Sequence, residues 1–141
     1  MESAMQSDMT DLFGDVIYSY TRADAIADGY LVDVSEVARE AGFRWPVAMT
    51  RTVWDDCVEW DDEDSKRQTH QDKSGRLWDA IWMAFVAIKQ ATGNGTELFY
   101  QLYRVPRGGR KTQARCITLK LVTGPGDDGE PVVTVMMPEE D

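Results

Sequence analysis

Gln113-Ala114-Arg115-Cys116-Ile117-Thr118-Leu119-Lys120-Leu121-Val122-Thr123 is the run that decides the fold. Ile117, Leu119 and Leu121 fall on one side of it, and Cys116, Thr118, Lys120 and Val122 on the other. That is the period of two expected of a strand. Residues 97–105 and 132–137 are also strand-like, rich in aromatic and β-branched side chains. The separators Pro106-Arg107-Gly108-Gly109-Arg110 and Gly124-Pro125-Gly126-Asp127-Asp128-Gly129 carry turn chemistry. The C-terminal half therefore reads as an antiparallel meander of three to four strands. Its apolar face needs a cover. The preceding segment, about residues 76–91, supplies one: a helix through Leu77, Trp78, Ile81, Met83, Phe85 and Ile88, apolar nearly all round, capped by Ser74 and stopped by Gly93-Asn94-Gly95. A helix laid on one face of an antiparallel sheet is an α+β layer.

Short helices are expected ahead of this unit. Residues 16–20 read as a brief strand. Thr21 then caps a helix that ends at Gly29, with Asp24 three residues after the cap. Residues 30–34 are extended or looped, and Ser35 caps a second helix closed by Gly42. Residues 43–49 are apolar but contain Pro46, which suits an edge strand or a loop. Thr50 or Thr52 opens a third helix, with Val53, Cys57 and Trp60 at helical spacing. Residues 61–73 are almost free of aliphatic side chains and read as an exposed connection. Residues 1–11 are expected to be a flexible N-terminus, and 12–141 a single domain.

The 141 residues carry a net charge of −10 with 43% hydrophobic content, too apolar for a disordered acidic tail. This charge repels free nucleic acid and anionic membrane. No apolar stretch with a basic leader opens the chain, and residues 77–88 are too short to span a bilayer. Cys57 and Cys116 have no paired spacing and read as reduced thiols. A cytoplasmic location and no membrane contact are the expectation. Oligomeric state is left open, a homodimer being compatible.

Ten residues hold the densest feature. Trp54 precedes Asp55, Asp56, Glu59, Trp60, Asp61, Asp62, Glu63 and Asp64. Such a patch stays hydrated, binds cations, or faces a basic partner, presenting carboxylates where a nucleic-acid-binding protein expects phosphates. The spacing does not match a calcium loop, and one histidine with two scattered cysteines makes no zinc site, so no metal or cofactor is expected. Trp45 and Trp60 read as exposed anchors of an interface, Trp78 and Trp82 as core residues stacked along one helix side. A second cluster has the opposite sign: Arg104, Arg107, Arg110, Lys111 and Arg115, with Tyr100 and Tyr103 just upstream. It reads as a soluble hairpin tip, or as a grip on a nucleic-acid backbone.

Catalytic patterns are thin. His70 lies in a polar connection, no elbow frames a serine, and Gly93-Asn94-Gly95 follows a helix rather than a strand. No catalytic residue is assigned. Tyr18, Tyr20 and Arg22, followed by Ile26 and Gly29-Tyr30-Leu31, faintly resemble the opening of ADP-ribosyltransferases. That resemblance implies a nucleotide-binding enzyme; it covers about fifteen residues and brings no partner glutamate.

A wider resemblance rests on Asp11-Leu12-Phe13-Gly14-Asp15-Val16-Ile17-Tyr18-Ser19-Tyr20-Thr21-Arg22, on Trp54-Asp55-Asp56-Cys57-Val58-Glu59-Trp60, and on Leu102-Tyr103-Arg104-Val105-Pro106. With these motifs the chain is similar to a family of small acidic bacterial proteins of unknown function, encoded on plasmids, phages and other mobile elements. The resemblance implies an accessory protein and carries over no site residues. The expectation is an interaction protein that binds, and inhibits, a nucleic-acid-binding or defence protein through Trp54, Asp55, Asp56, Glu59, Trp60, Asp61, Asp62 and Asp64. The alternatives are the enzyme using residues 18–22 and a nucleic-acid accessory protein using residues 104–115.

Overall fold

The structure, a computed structural model, describes residues 19–93 and 95–141. The expected flexible residues 1–11, and all but the last two residues of the expected strand at 16–20, lie outside them. Ser19 and Tyr20 are described and are not in a strand.

Helix α1 (Arg22–Asp28) starts at the expected Thr21, whose side chain and that of Asp24 form a reciprocal capping box, and ends at Gly29 with φ 86°. Strand β1 (Leu31–Asp33) leads into α2 (Ser35–Ala41), then β2 (Val47–Thr50). Three residues of α3 (Arg51–Val53) run into a π-helical turn (Trp54–Val58). Helix α4 (Asp62–Arg67) and the long α5 (Lys73–Gln90) follow, then β3 (Glu97–Arg104), β4 (Arg115–Pro125) and β5 (Pro131–Met136).

The C-terminal strands form the expected meander, with Leu102↔Ile117, Tyr100↔Leu119 and Leu121↔Val135 in register on one face. The sheet is larger than expected. It has five strands in the order β1-β2-β5-β4-β3, and β2 runs parallel to β5. Residues 43–49 thus hold an internal strand rather than an edge or a loop. Pro46 stands just before β2, where its missing N–H costs nothing, and its carbonyl accepts from Val133 N–H at 2.9 Å.

Helix α5 covers the sheet as expected, burying Ala80, Ile81 and Ala84 against Tyr100, Leu119, Val133 and Val135. Asp72, rather than Ser74, caps it by accepting from Gly75 N–H at 2.6 Å. Trp78 and Trp82 stack at 5.9 Å with 12° between planes, but on the solvent side: both are more than a third exposed. On the opposite sheet face, Arg22 donates to Thr134 Oγ1 (2.7 Å) and to the Val133 carbonyl (2.8 Å), tying α1 down. Buried Lys120 donates to the Glu140 carbonyl, tying down the C-terminal tail.

Gly42 closes α2 at φ 124°, and a Cβ there would stand 2.7 Å from the Phe85 ring, which makes an edge contact with Phe43 at 5.6 Å. Both the backbone and the close approach require glycine. Gly42→Ala is expected to lower unfolding free energy by about 1–3 kcal/mol in urea titration.

Candidate functional site

The π turn sets the site. Its last hydrogen bond, from Glu59 N–H to the Trp54 carbonyl at 2.9 Å, spans five residues. The chain then leaves the helix, and the carbonyls of Asp56 and Val58 have no helical partner. Arg76, from the first turns of α5, supplies one. Its guanidinium donates to the Val58 carbonyl (3.1 Å), the Asp56 carbonyl (3.2 Å), the Val105 carbonyl just past β3 (2.9 Å) and Gln71 Oε1 (2.6 Å). It lies 4.5 Å from the centre of the Trp60 ring, and the whole residue is 5% exposed. Burial pulls its pKa down, with Asp56 and Asp64 opposing; the guanidinium stays charged, because an arginine has pKa to spare.

Trp60 is buried at 3% exposure. The expectation of an exposed anchor is corrected: its ring is the floor under Arg76, and its Nε1–H donates to Ser65 Oγ at 3.0 Å. Trp54 is half-buried against the core and donates to Glu59. Trp45 is exposed, as expected, but sits elsewhere, beside the end of α5.

Residues 61–73 are not a bare connection. Asp61 and Asp64 form a capping box at the start of α4, and Asp64 is 2% exposed. Its two oxygens accept from Arg107 Nε at 2.7 Å and Arg67 at 2.5 Å. Burial pushes the Asp64 carboxyl up, and the hydrogen bonds from Asp61 and Arg107 outweigh it, leaving the pKa below the usual range. Gln68, nearly buried at the end of α4, donates to the carbonyls of Pro106 (2.8 Å) and Lys111 (2.7 Å) and accepts from Gly108 N–H (2.8 Å). A neutral amide thus fixes the basic loop from inside.

The acidic and basic clusters therefore share one face, which separation in sequence concealed. Arg104 pairs with Asp56 at 2.6 Å, Arg107 with Asp64 and with Asp61 (3.3 Å), and Lys73 with Glu59 at 3.2 Å. Asp55 and Asp62 stay exposed with no ion pair among the described residues; exposed Glu63 meets only exposed Lys66, at 3.8 Å. Arg110, Lys111 and Arg115 are exposed and likewise unpaired among the described residues. A cleft of about 430 Å³ lies between Thr52, Asp55, Asp56, Arg104, Pro106 and Arg107.

Burial and Asp56 push the Cys57 thiol up to about 12, so it is no nucleophile. Among the described residues, no three His, Cys, Asp or Glu side chains gather as a metal site. Arg22 lines a cavity of about 190 Å³ with Asp33, Asp127 and Glu130. Tyr20 is not in its wall; its hydroxyl donates to Asp28 and its ring meets Tyr30. Tyr18 lies outside the described residues. Sequence reasoning missed Arg76, Gln68 and Ser65; the only signal was polar side chains beside a tryptophan-rich run.

The chain belongs to a family of unknown function (DUF6573), whose profile matches residues 9–141. No curated protein and no solved structure matches it. No helix among the described residues is long and apolar enough to cross a membrane.

Arg76→Lys and Arg76→Met are both expected to destabilise by at least about 2 kcal/mol in chemical denaturation, because neither can satisfy the three carbonyls.

Proposed function

We propose that this protein works by binding another protein through the face built by the π turn, α4 and the β3–β4 loop. The observation that carries the reading is the division of labour among the carboxylates. Asp56, Glu59, Asp61 and Asp64 are paired with arginines or a lysine of the same chain, Asp61 while still exposed, and Asp55, Asp62 and Glu63 face water from a scaffold fixed beneath them. Charges held on a rigid base lose little freedom on binding, and they steer a basic partner. A protein surface evolved to grip phosphates is the chemistry that fits. The more specific reading, a mobile-element product that occludes a nucleic-acid-binding defence protein, is supported by the sequence resemblance and the outward acids.

A second reading is favoured by Arg110, Lys111 and Arg115, unpaired among the described residues at the loop that Gln68 holds. It makes the loop a nucleic-acid contact, with affinity falling steeply as salt rises. The enzyme alternative has less support, since among the described residues Arg22 is spent on Thr134 and the Val133 carbonyl, and Tyr20 is not in the wall of the cavity that Arg22 lines.

The triple reversal Asp55→Lys, Asp62→Lys, Glu63→Lys removes only exposed, unburied acids, and is expected to fold normally. Captures from nuclease-treated bacterial lysate with the two proteins are compared, and the captured partner is titrated against each. Loss of the partner, with affinity at least tenfold weaker, is expected. A folded triple variant that keeps full affinity contradicts the reading.

A further inference from the structure

β3 ends the sheet, and among the described residues nothing pairs with its outer edge. Sheet edges are normally guarded by charge, proline, a bulge or brevity. β1, the opposite edge, has only three residues and ends in Asp33. β3 has none of these guards along its middle. It runs eight residues, paired one-to-one with β4 from Glu97↔Val122 to Arg104↔Arg115, and the six between its ends are uncharged. Its two faces are apolar as well. Phe99 and Tyr103 on the outer face are 52% and 66% exposed. On the α5 side, a groove of about 420 Å³ runs along the strand, walled by Met83, Val86, Ala87, Leu98 and Tyr100.

We propose that a second copy of this chain occupies this edge, β3 against β3, antiparallel about a two-fold axis at Gln101. Two sheets would then join as one, and the α5 helices would meet across the groove through Met83 and Val86. The register follows from symmetry. A two-fold antiparallel pair sets each residue opposite one of the same face, so the axis must fall on a residue. Centred on Gln101, it sets Phe99 opposite Tyr103 of the second copy, twice, making two cross-strand aromatic pairs. Centred on Tyr100, it leaves Phe99 facing Gln101 and Tyr103 facing Glu97. Charge fixes the sense: parallel pairing would align Glu97 with Glu97, and antiparallel pairing places it at the end that carries Arg104. The strip of contact is uncharged, although each chain carries −10. Salt therefore screens the repulsion between the copies and strengthens the dimer, the opposite of the salt response expected for a charged protein partner. This inference does not depend on the proposed function.

The test is the solution mass of the full chain against concentration, by sedimentation equilibrium at low and moderate salt, with amide exchange of β3 followed at both ends of the concentration range. The wild type is expected to reach twice the chain mass, more readily in salt, and β3 amides to gain protection with concentration. Gln101 is exposed, so Gln101→Lys and Gln101→Glu leave the fold intact, which circular dichroism checks. Each alone places like charges opposite one another and is expected to stay monomeric where the wild type is dimeric. Mixed in equal amounts, they are expected to recover the dimer. A monomeric wild type at every soluble concentration overturns the proposal. So does a dimer indifferent to both substitutions, a folded pair that fails to rescue one another, or β3 protection that is independent of concentration.

Discussion

A buried guanidinium holds together the face on which the acidic turn and the basic loop meet. Arg76 has no carboxylate in ion-pair contact among the described residues; it is satisfied by three backbone carbonyls, one amide oxygen and the face of Trp60. Burying a charge this way is costly unless its donors are met. Four of the five N–H donors are bonded within the chain, and through them one side chain fixes three things at once: the end of the π turn, the exit of β3, and the start of α5. Arg104 and the basic loop follow from the second of these, and the acidic turn from the first.

Magnitude separates the charges that matter for folding from those left for other work. Exposed pairs such as Lys66–Glu63 contribute little, between zero and about 1 kcal/mol. Asp64 is different, since its carboxylate is 2% exposed and two arginines and the α4 cap all depend on it. Stranding a buried charge with no partner costs about 3–5 kcal/mol; Asp64 keeps one arginine when the other is lost, so a single arginine substitution costs less than that. The acid run is thus two populations: Asp56, Glu59, Asp61 and Asp64, paired with cations of the chain itself although Asp61 stays exposed, and Asp55, Asp62 and Glu63, left to water or to a neighbouring exposed lysine.

Period and punctuation made much of the fold legible. The alternation through Ile117, Leu119 and Leu121, the Thr21 cap with Asp24 and the Gly29 and Gly42 stops all act within a few residues, so the sequence displays them directly. β2 reads as an edge strand or a loop because the apolar stretch contains Pro46, whereas a proline just before the strand is harmless to it. Helix α4 escapes hydrophobic periodicity because it has no apolar stripe: it is held by a capping box and by Gln68. Trp60 reads as an outward anchor because acids surround it in sequence. Its actual neighbour, Arg76, is sixteen positions on and reaches it only once α5 is laid down. The two charge clusters were visible singly, and their meeting was not. It depends on pairs 43 to 48 residues apart, brought together through α5 and β3, which no local pattern encodes.

Acidic turn and basic loop are one folded unit, made so by interactions inside the chain. A double-mutant cycle in unfolding free energy, with Asp64→Asn, Arg107→Gln and the double variant, measures it most directly. A coupling of about 1–3 kcal/mol, with the double variant less damaged than the two single losses sum to, is the predicted result. A coupling indistinguishable from zero, with either single variant as stable as wild type, would contradict it.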